Sequence, residues 1–300
     1  MRITFTIALI AALILVSCND PVTSEPGDED TDALTGEYFG QTPPGATPVV
    51  FAPGIISLPD HFEHSAAVFS PDKRELFWAS KPNGQSFFKL YYMKMENGIL
   101  TKPAVAPFSG NFDVNRPVFS PDGNKLYYDM GSAIWVVEKQ GHGWSEPARL
   151  PQVINSESGQ IMHSITEDGS LYFTRLNSNY EIFEELEEIY VSRYINGQFA
   201  EPEKLDETIN SDYARELAVF VAPDESYMII EGTRDNSRAG LFISYKLNDN
   251  SWSERIDLNL GWGRFPCVSP DGNYLFYLGE EGIYWVNTSF IEDLRPDDLK

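Results

Sequence analysis

Five basic or imidazole side chains stand at matching points of a repeated phrase: His64 in "EHSAAVF", Arg116 in "NRPVF", His163 in "MHSI", Arg215 in "ARELAVF" and Arg264 in "GRFPCV". Glu63, Asn115 and Glu216 accompany them. Arginine offers forked donors that fit a carboxylate, sulfate or phosphate in two-point geometry. A ring of such groups suits an anion: a carboxylate, a sulfate, a uronic acid or an acidic side chain of a partner. The competing reading is structural, with the cations paired to Glu63, Glu216 and nearby carbonyls. Carboxylates in the same neighbourhood, Glu63, Asp113 and Glu216, raise a third chemistry, glycoside hydrolysis, which needs two of them flanking a bond.

What must position these residues is legible in the phrase that follows each of them. "FSPDKRELFW", "FSPDGNKLYY", "ITEDGSLYF", "VAPDESYMII" and "VSPDGNYLFY" place turn aspartates at Asp72, Asp122, Asp168, Asp224 and Asp271. The spacings are 50, 46, 56 and 47 residues, a blade-sized period. Proline presets φ, aspartate bonds the backbone two residues on, and glycine takes the φ > 0 position. Lys73 and Glu225 replace that glycine in two copies, so strain is expected there. Repetition in every unit marks these aspartates as turn chemistry and not catalysis.

Each unit continues with a third strand ("KLYYMKM", "AIWVVEK", "EIYVSRY", "LFISYKL", "GIYWVNT") and then, in four units, a turn and a Pro- or charge-containing fourth strand. The expected fold is all-β: a five-bladed β-propeller of four-stranded antiparallel blades. The fifth unit lacks a fourth strand, and "TPVVFAPGI", residues 47–55, is expected to supply it from the N-terminal side. Six blades are the alternative, but no stretch of about forty residues remains to build one. In this topology the basic residues fall at one mouth of the central channel, and the SPDG turns lie on the opposite face.

The SPDG phrases resemble the WD-like repeats of TolB-type bacterial β-propellers, over about residues 46–292. Propellers of that kind serve as periplasmic interaction scaffolds, carbohydrate binders and accessory domains of peptidases, so the resemblance implies the fold much more than a function. Because the repeats occupy nearly all of residues 46–292, no attached peptidase domain is expected.

The N-terminus carries a different message. "MRITFTIALIAALILVSC" has a positive start, an apolar run and a terminal Cys18, and is too short to span a membrane comfortably. "LVSC" resembles the lipobox of bacterial lipoproteins. That resemblance implies cleavage after residue 17, diacylglycerol on the Cys18 sulfur and a third acyl chain on its amino group, which together anchor the chain stably to a membrane. Residues 18–45 are rich in Pro, Gly, Thr and acids and read as a flexible tether, with the propeller domain from 46 to 300. The expected address is the cell envelope, anchored at the outer membrane and facing the periplasm or the surface.

The composition excludes some functions. Forty-five acids against 22 bases give a net charge of −23, which argues against nucleic acid as a partner. With Cys18 consumed, Cys267 has no disulfide partner and reads as a small buried residue. No nucleophile elbow, zinc helix or phosphate loop is present, and no cofactor or metal is expected. Glu181, Glu184, Glu185, Glu187 and Glu188 crowd an insertion at 175–190, but their spacing fits no calcium loop. There Ile182, Phe183 and Leu186 suggest a short amphipathic turn over the mouth. The loop "SKPNGQSFFK", 80–89, carries two Phe that can meet a partner or a glycan, or pack on a neighbouring loop. The sequence therefore points to a monomeric binding or scaffold lipoprotein for a glycan or envelope protein. His64, Arg116, His163, Arg215, Glu216 and Arg264 are its ligand-binding set, and a glycoside hydrolase is the alternative.

Overall fold

The computed structural model describes residues 36–156, 159–176, 187–210, 218–233 and 239–300. Five small antiparallel sheets form a five-bladed β-propeller. Blade 1 runs from an inner strand split into His61–Glu63 and Val68–Phe69, through Glu75–Pro82 and Lys89–Glu96, to an outer strand at Ile99–Leu100 and Ala104–Val105. Blades 2 to 4 repeat the order, with inner strands Val114–Phe119, Gln160–Ile165 and Val219–Val221. Blade 5 consists of Arg264–Val268, Tyr274–Gly279 and Gly282–Asn287, and its outer strand is Val49–Val50. Val49 pairs with Trp285 and Val50 with Tyr284, so the N-terminal strand closes the ring as the repeat count requires.

The second strands explain how one short sheet can be buried on both faces. Strand residues alternate sides. Leu76 and Trp78 enter the core shared by blades 5 and 1, while Phe77 and Ala79 enter the core shared by blades 1 and 2. Leu126 and Tyr128 against Tyr127 repeat the device one blade on. A continuous apolar strand with two buried faces is what a radial stack of sheets demands.

The turn aspartates act as the motif predicts. Asp72, Asp122, Asp168, Asp224 and Asp271 each accept the amide two residues on, and Ser70, Ser120, Thr166 and Ser269 donate their hydroxyls to four of them at 2.6 Å. Gly123, Gly169 and Gly272 sit at φ 71°, 84° and 74°, and Lys73 and Glu225 are forced to φ 56° and 60°. Left-handed backbone costs a residue with a Cβ about 1–2 kcal/mol. Lys73 meets Asp271 at 2.6 Å, and Glu225 pairs with Arg193, so both strained side chains tie their turns to a neighbour.

Two features were not legible in the repeat. The loops that lead from an outer strand to the next blade are pinned by buried amides. Asn155 accepts from the Ile134 amide and donates to the Ile134 and Leu150 carbonyls, and Asn210 does the same with Ile189 and Leu205. The second is a correction to the expected tether. Tyr38 and Phe39 are buried in the core between blades 5 and 1, against Phe51, Phe69 and Trp285. The Tyr38 hydroxyl donates to Asp271. An aromatic pair inside a Gly- and Pro-rich segment is enough to dock it.

Among the described residues no helix is long and apolar enough to cross a membrane. The expectations for Cys18 and for the glutamates and apolar residues at 181–186 lie outside the described residues.

Candidate functional site

Among the described residues, three of the inner strands carry a bulge at the channel mouth, and the bulge sets the site's geometry. Arg116, Met162 and Phe265 occupy left-handed backbone at φ 49°, 57° and 52°, where the strand register slips against its neighbour. Such a bulge turns a side chain out of the strand's normal alternation. A buried carboxylate on the preceding blade braces two of the three. Asp129, on the second strand of blade 2 (Lys125–Met130), accepts the Met162 amide of blade 3 at 2.9 Å. Glu231, on the second strand of blade 4 (Tyr227–Thr233), accepts the Phe265 amide of blade 5 at 3.2 Å.

The same carboxylates hold the basic residues. Arg116 Nε donates to Asp129 Oδ2 at 2.6 Å, and His163 Nδ1 lies 3.0 Å from Asp129 Oδ1. Arg264 Nε donates to Glu231 Oε1 at 2.6 Å. Burial opposes the charge on Asp129, but the Arg116 guanidinium, the His163 hydrogen bond and the Met162 amide outweigh it and hold its pKa below the ordinary aspartate value. Burial raises Glu231, offset only in part by Arg264. The cations are therefore paired, as the structural reading of the sequence foresaw, but with Asp129 and Glu231 and not with Glu63. Both carboxylates stand three residues after a buried Leu126 or Met228 of the second strand, a position that is Ala79, Thr174 and Leu278 after Leu76, Leu171 and Leu275 in the other blades.

Phe265 draws the ring together. Arg116 and Arg264 lie over its face with Cζ 5.4 and 4.6 Å from the centroid, and His64 sits 4.9 Å away. His64 also stacks on Phe88 at 4.7 Å and bonds Asn115 Oδ1 through Nδ1 at 3.2 Å. Burial, with Arg116 and Arg264 close by, pushes its pKa down to about 3, so its imidazole is neutral at physiological pH. The structure thus brings together His64, Arg116 and Arg264, and places His163 behind Arg116 on the shared Asp129. Arg215 and Glu216 lie outside the described residues. Asp113 accepts the Phe88 amide at 2.8 Å, a loop contact.

Two spaces meet these residues. A central channel of about 320 Å³ is lined by the inner strands, with Arg116, His163 and Phe265 toward the mouth and Pro71, Pro121, Pro223 and Pro270 at the turn face. Cys267 lines it as a free thiol, with its pKa pushed up to about 12 by burial. A wider cleft of about 1040 Å³ opens at the seam of blades 5 and 1, lined by Phe62, Glu63, His64, Phe88, Trp262 and Arg264, with Glu280 and Glu281 at its edge. Phe62 is 61% exposed there. Among the described residues no cluster of three His, Cys, Asp or Glu side chains is arranged to hold a metal ion.

Glu63 is the carboxyl of the cleft whose ionisation burial opposes. Its Oε1 is buried and without a hydrogen-bond partner, and burial raises its pKa to about 6, against the pull of backbone amides and His61. A carboxyl that is harder to ionise in the fold favours the folded state most below its ordinary pKa of about 4.3 and loses that contribution as pH rises through 6. Glu63→Gln is expected to remove this loss. Its melting temperature should exceed that of the wild type at pH 7 and converge with it at pH 4, read by thermal denaturation across pH.

No family model matches the sequence, and no curated protein matches it. Among solved structures, the chain is similar to TolB from Acinetobacter baumannii, with 15% identity over 76% of this chain and 55% of that one, TM-score 0.45. This chain thus spans about half the length of that TolB. It is also similar to the periplasmic gluconolactonase of Pseudomonas aeruginosa (16% identity, 72% of this chain and 63% of that one, TM-score 0.44) and to a gluconolactonase of Xanthomonas campestris (12% identity, 75% and 85%, TM-score 0.44). At these identities and TM-scores no activity carries over from those proteins to this one.

Proposed function

We propose that this protein is a lipid-anchored binding protein of the cell envelope, and that its propeller takes a saccharide in the cleft between blades 5 and 1. The anchor rests on the apolar run ending in Leu15–Cys18, which supports acylation of Cys18 at the outer membrane. The binding role rests on the cleft, which the aromatic side chains Phe62, Phe88 and Trp262 line together with Glu63, His64 and Arg264. Apolar walls with a few convergent polar groups are the usual make-up of a ligand site. The pairing of Arg116 and Arg264 with buried carboxylates cancels much of the mouth's positive charge, so a neutral or weakly acidic sugar suits it better than a strong anion.

Screening the purified protein against an array of envelope and plant-type oligosaccharides, followed by calorimetry on the hits, tests this. Phe62→Ala and Trp262→Ala are each expected to weaken binding at least tenfold, about 1.4 kcal/mol. Phe62→Ala should leave the melting temperature unchanged, because that ring is mostly in water. Absence of saccharide binding, or variants that bind like the wild type, would refute the cleft. Capture of an acidic envelope peptide in the same cleft would replace the sugar with a protein partner.

The raised pKa of Glu63 favours one second reading, a glycoside hydrolase with Glu63 as general acid and Glu280 or Glu281 as its partner. Release of aryl alcohol from aryl glycosides, lost in Glu63→Gln, would support it. Binding without turnover would exclude it.

A further inference from the structure

Among the described residues the exposed aromatic rings are Phe62, Phe87, Phe112 and Tyr194, and the three phenylalanines belong to one neighbourhood. Phe62 lines the cleft and is paired in register with Lys81, whose Nζ lies 4.6 Å over the Phe88 ring in the same cleft. Phe87 precedes Phe88 in the loop between Glu75–Pro82 and Lys89–Glu96. The chain entering blade 2 is fastened to that loop three times. Asp113 accepts the Phe88 amide at 2.8 Å, the Val114 amide donates to the Phe88 carbonyl at 3.2 Å, and the Lys89 ammonium donates to the Gly110 carbonyl. Phe112 leans back over this junction, with Cδ2 4.0 Å from where a Cβ on Gly110 would stand. Phe112 is 65% exposed and Phe87 45%. The rings thus follow one another from the cleft to the entry of blade 2, on backbone hydrogen-bonded between the two blades.

Grouped exposed rings mark an interaction surface, where a lone one would not. The charges among them select the occupant. Asp60 and Glu63 bracket Phe62, Asp113 follows Phe112, and Glu280 and Glu281 edge the cleft. Protein interfaces are depleted of carboxylates at their centre, and a bilayer would have to desolvate these groups unpaired. A saccharide needs neither. Its C–H faces bury the phenyl rings, and its hydroxyls donate to the carboxylates between them. The acidic surroundings, in a chain of net charge −23, favour a neutral sugar over an acidic one.

We propose that the ligand is an extended neutral polysaccharide, held at one point in the cleft and continuing over Phe87 and Phe112 to the entry of blade 2. This rests on the saccharide reading of the cleft and names the class of saccharide.

The probes are gluco-, xylo- and manno-oligosaccharides from dimer to hexamer, titrated into the full chain by calorimetry. In a series that binds, the hexamer is expected to bind at least tenfold more tightly than the dimer. Phe112→Ala and Phe87→Ala should each erase most of that gain and leave the dimer's affinity as it was, whereas Phe62→Ala should weaken every length. Phe112→Ala should melt with the wild type, since its ring is mostly in water. Equal affinity for dimer and hexamer, or a hexamer indifferent to Phe112→Ala, would overturn the extended track and leave the cleft standing. No binding at any length would overturn both. A dimer of the chain in sedimentation velocity that Phe112→Ala dissolves would give these rings to a second copy and overturn the track as well.

Discussion

Asp129→Ala is expected to cost the fold about 3–5 kcal/mol, because it strands a buried guanidinium and leaves His163 and the Met162 amide without their acceptor. Urea denaturation at neutral pH reads the loss directly. The penalty comes from the uncompensated charge, so Arg116→Met in the same chain should restore part of it. The effect depends on pH in a known sense. The aspartate's pKa is depressed in the fold, so its contribution is fully present above about pH 4, its unfolded value, and is lost as pH falls through the lower folded value. The gap between wild type and Asp129→Ala should therefore narrow in acid. A loss under about 1 kcal/mol would mean that the Arg116–Asp129–His163 group is surface-like in energy, and would remove the basis for the ordered mouth.

The architecture was readable because its signal is chemical and repeated. A serine or threonine, an aspartate two residues on and a residue with φ > 0 recur in step, and each part makes the bond its type predicts. The borrowed outer strand was readable because one blade was short of a strand and one segment was spare. The partners of the mouth were harder. Asp129 and Glu231 sit inside apolar strands, "KLYYDM" and "YMIIEGT", where a single carboxylate looks like an exposed alternate position. Burial on both blade faces makes it a core charge instead. A signal did exist: each lies three residues beyond the first Leu or Met of its second strand, in line with residues that are apolar or Thr elsewhere. The bulges that aim Arg116 and Phe265 left no mark, since neither residue type favours left-handed backbone. Tyr38 and Phe39 were hidden by averaging over an acidic, Gly- and Pro-rich segment.

Phe51→Ala carries the other large effect, about 3–5 kcal/mol. Phe51 is fully buried, follows the closing strand directly and packs on Phe39, Phe69, Phe276 and Trp285, so it joins blade 5, blade 1 and the N-terminal segment. Its loss should lower stability and also loosen the seam that forms the cleft, so the same variant is expected to weaken ligand binding there. A distant core truncation of similar size, such as Ile229→Ala between blades 4 and 5, should lower stability while leaving the cleft's affinity nearly intact.

Hydrogen exchange at the Phe51 amide tests ring closure most directly. That amide donates to the Ile283 carbonyl at 2.7 Å, a bond that exists only if the N-terminal strand completes blade 5. The closed ring requires protection equal to that of the central strand residues Leu76 and Phe276, limited by global unfolding. Exchange of Phe51 at the rate of an unpaired chain, while Leu76 and Phe276 stay protected, would contradict the closed ring and the cleft built at its seam.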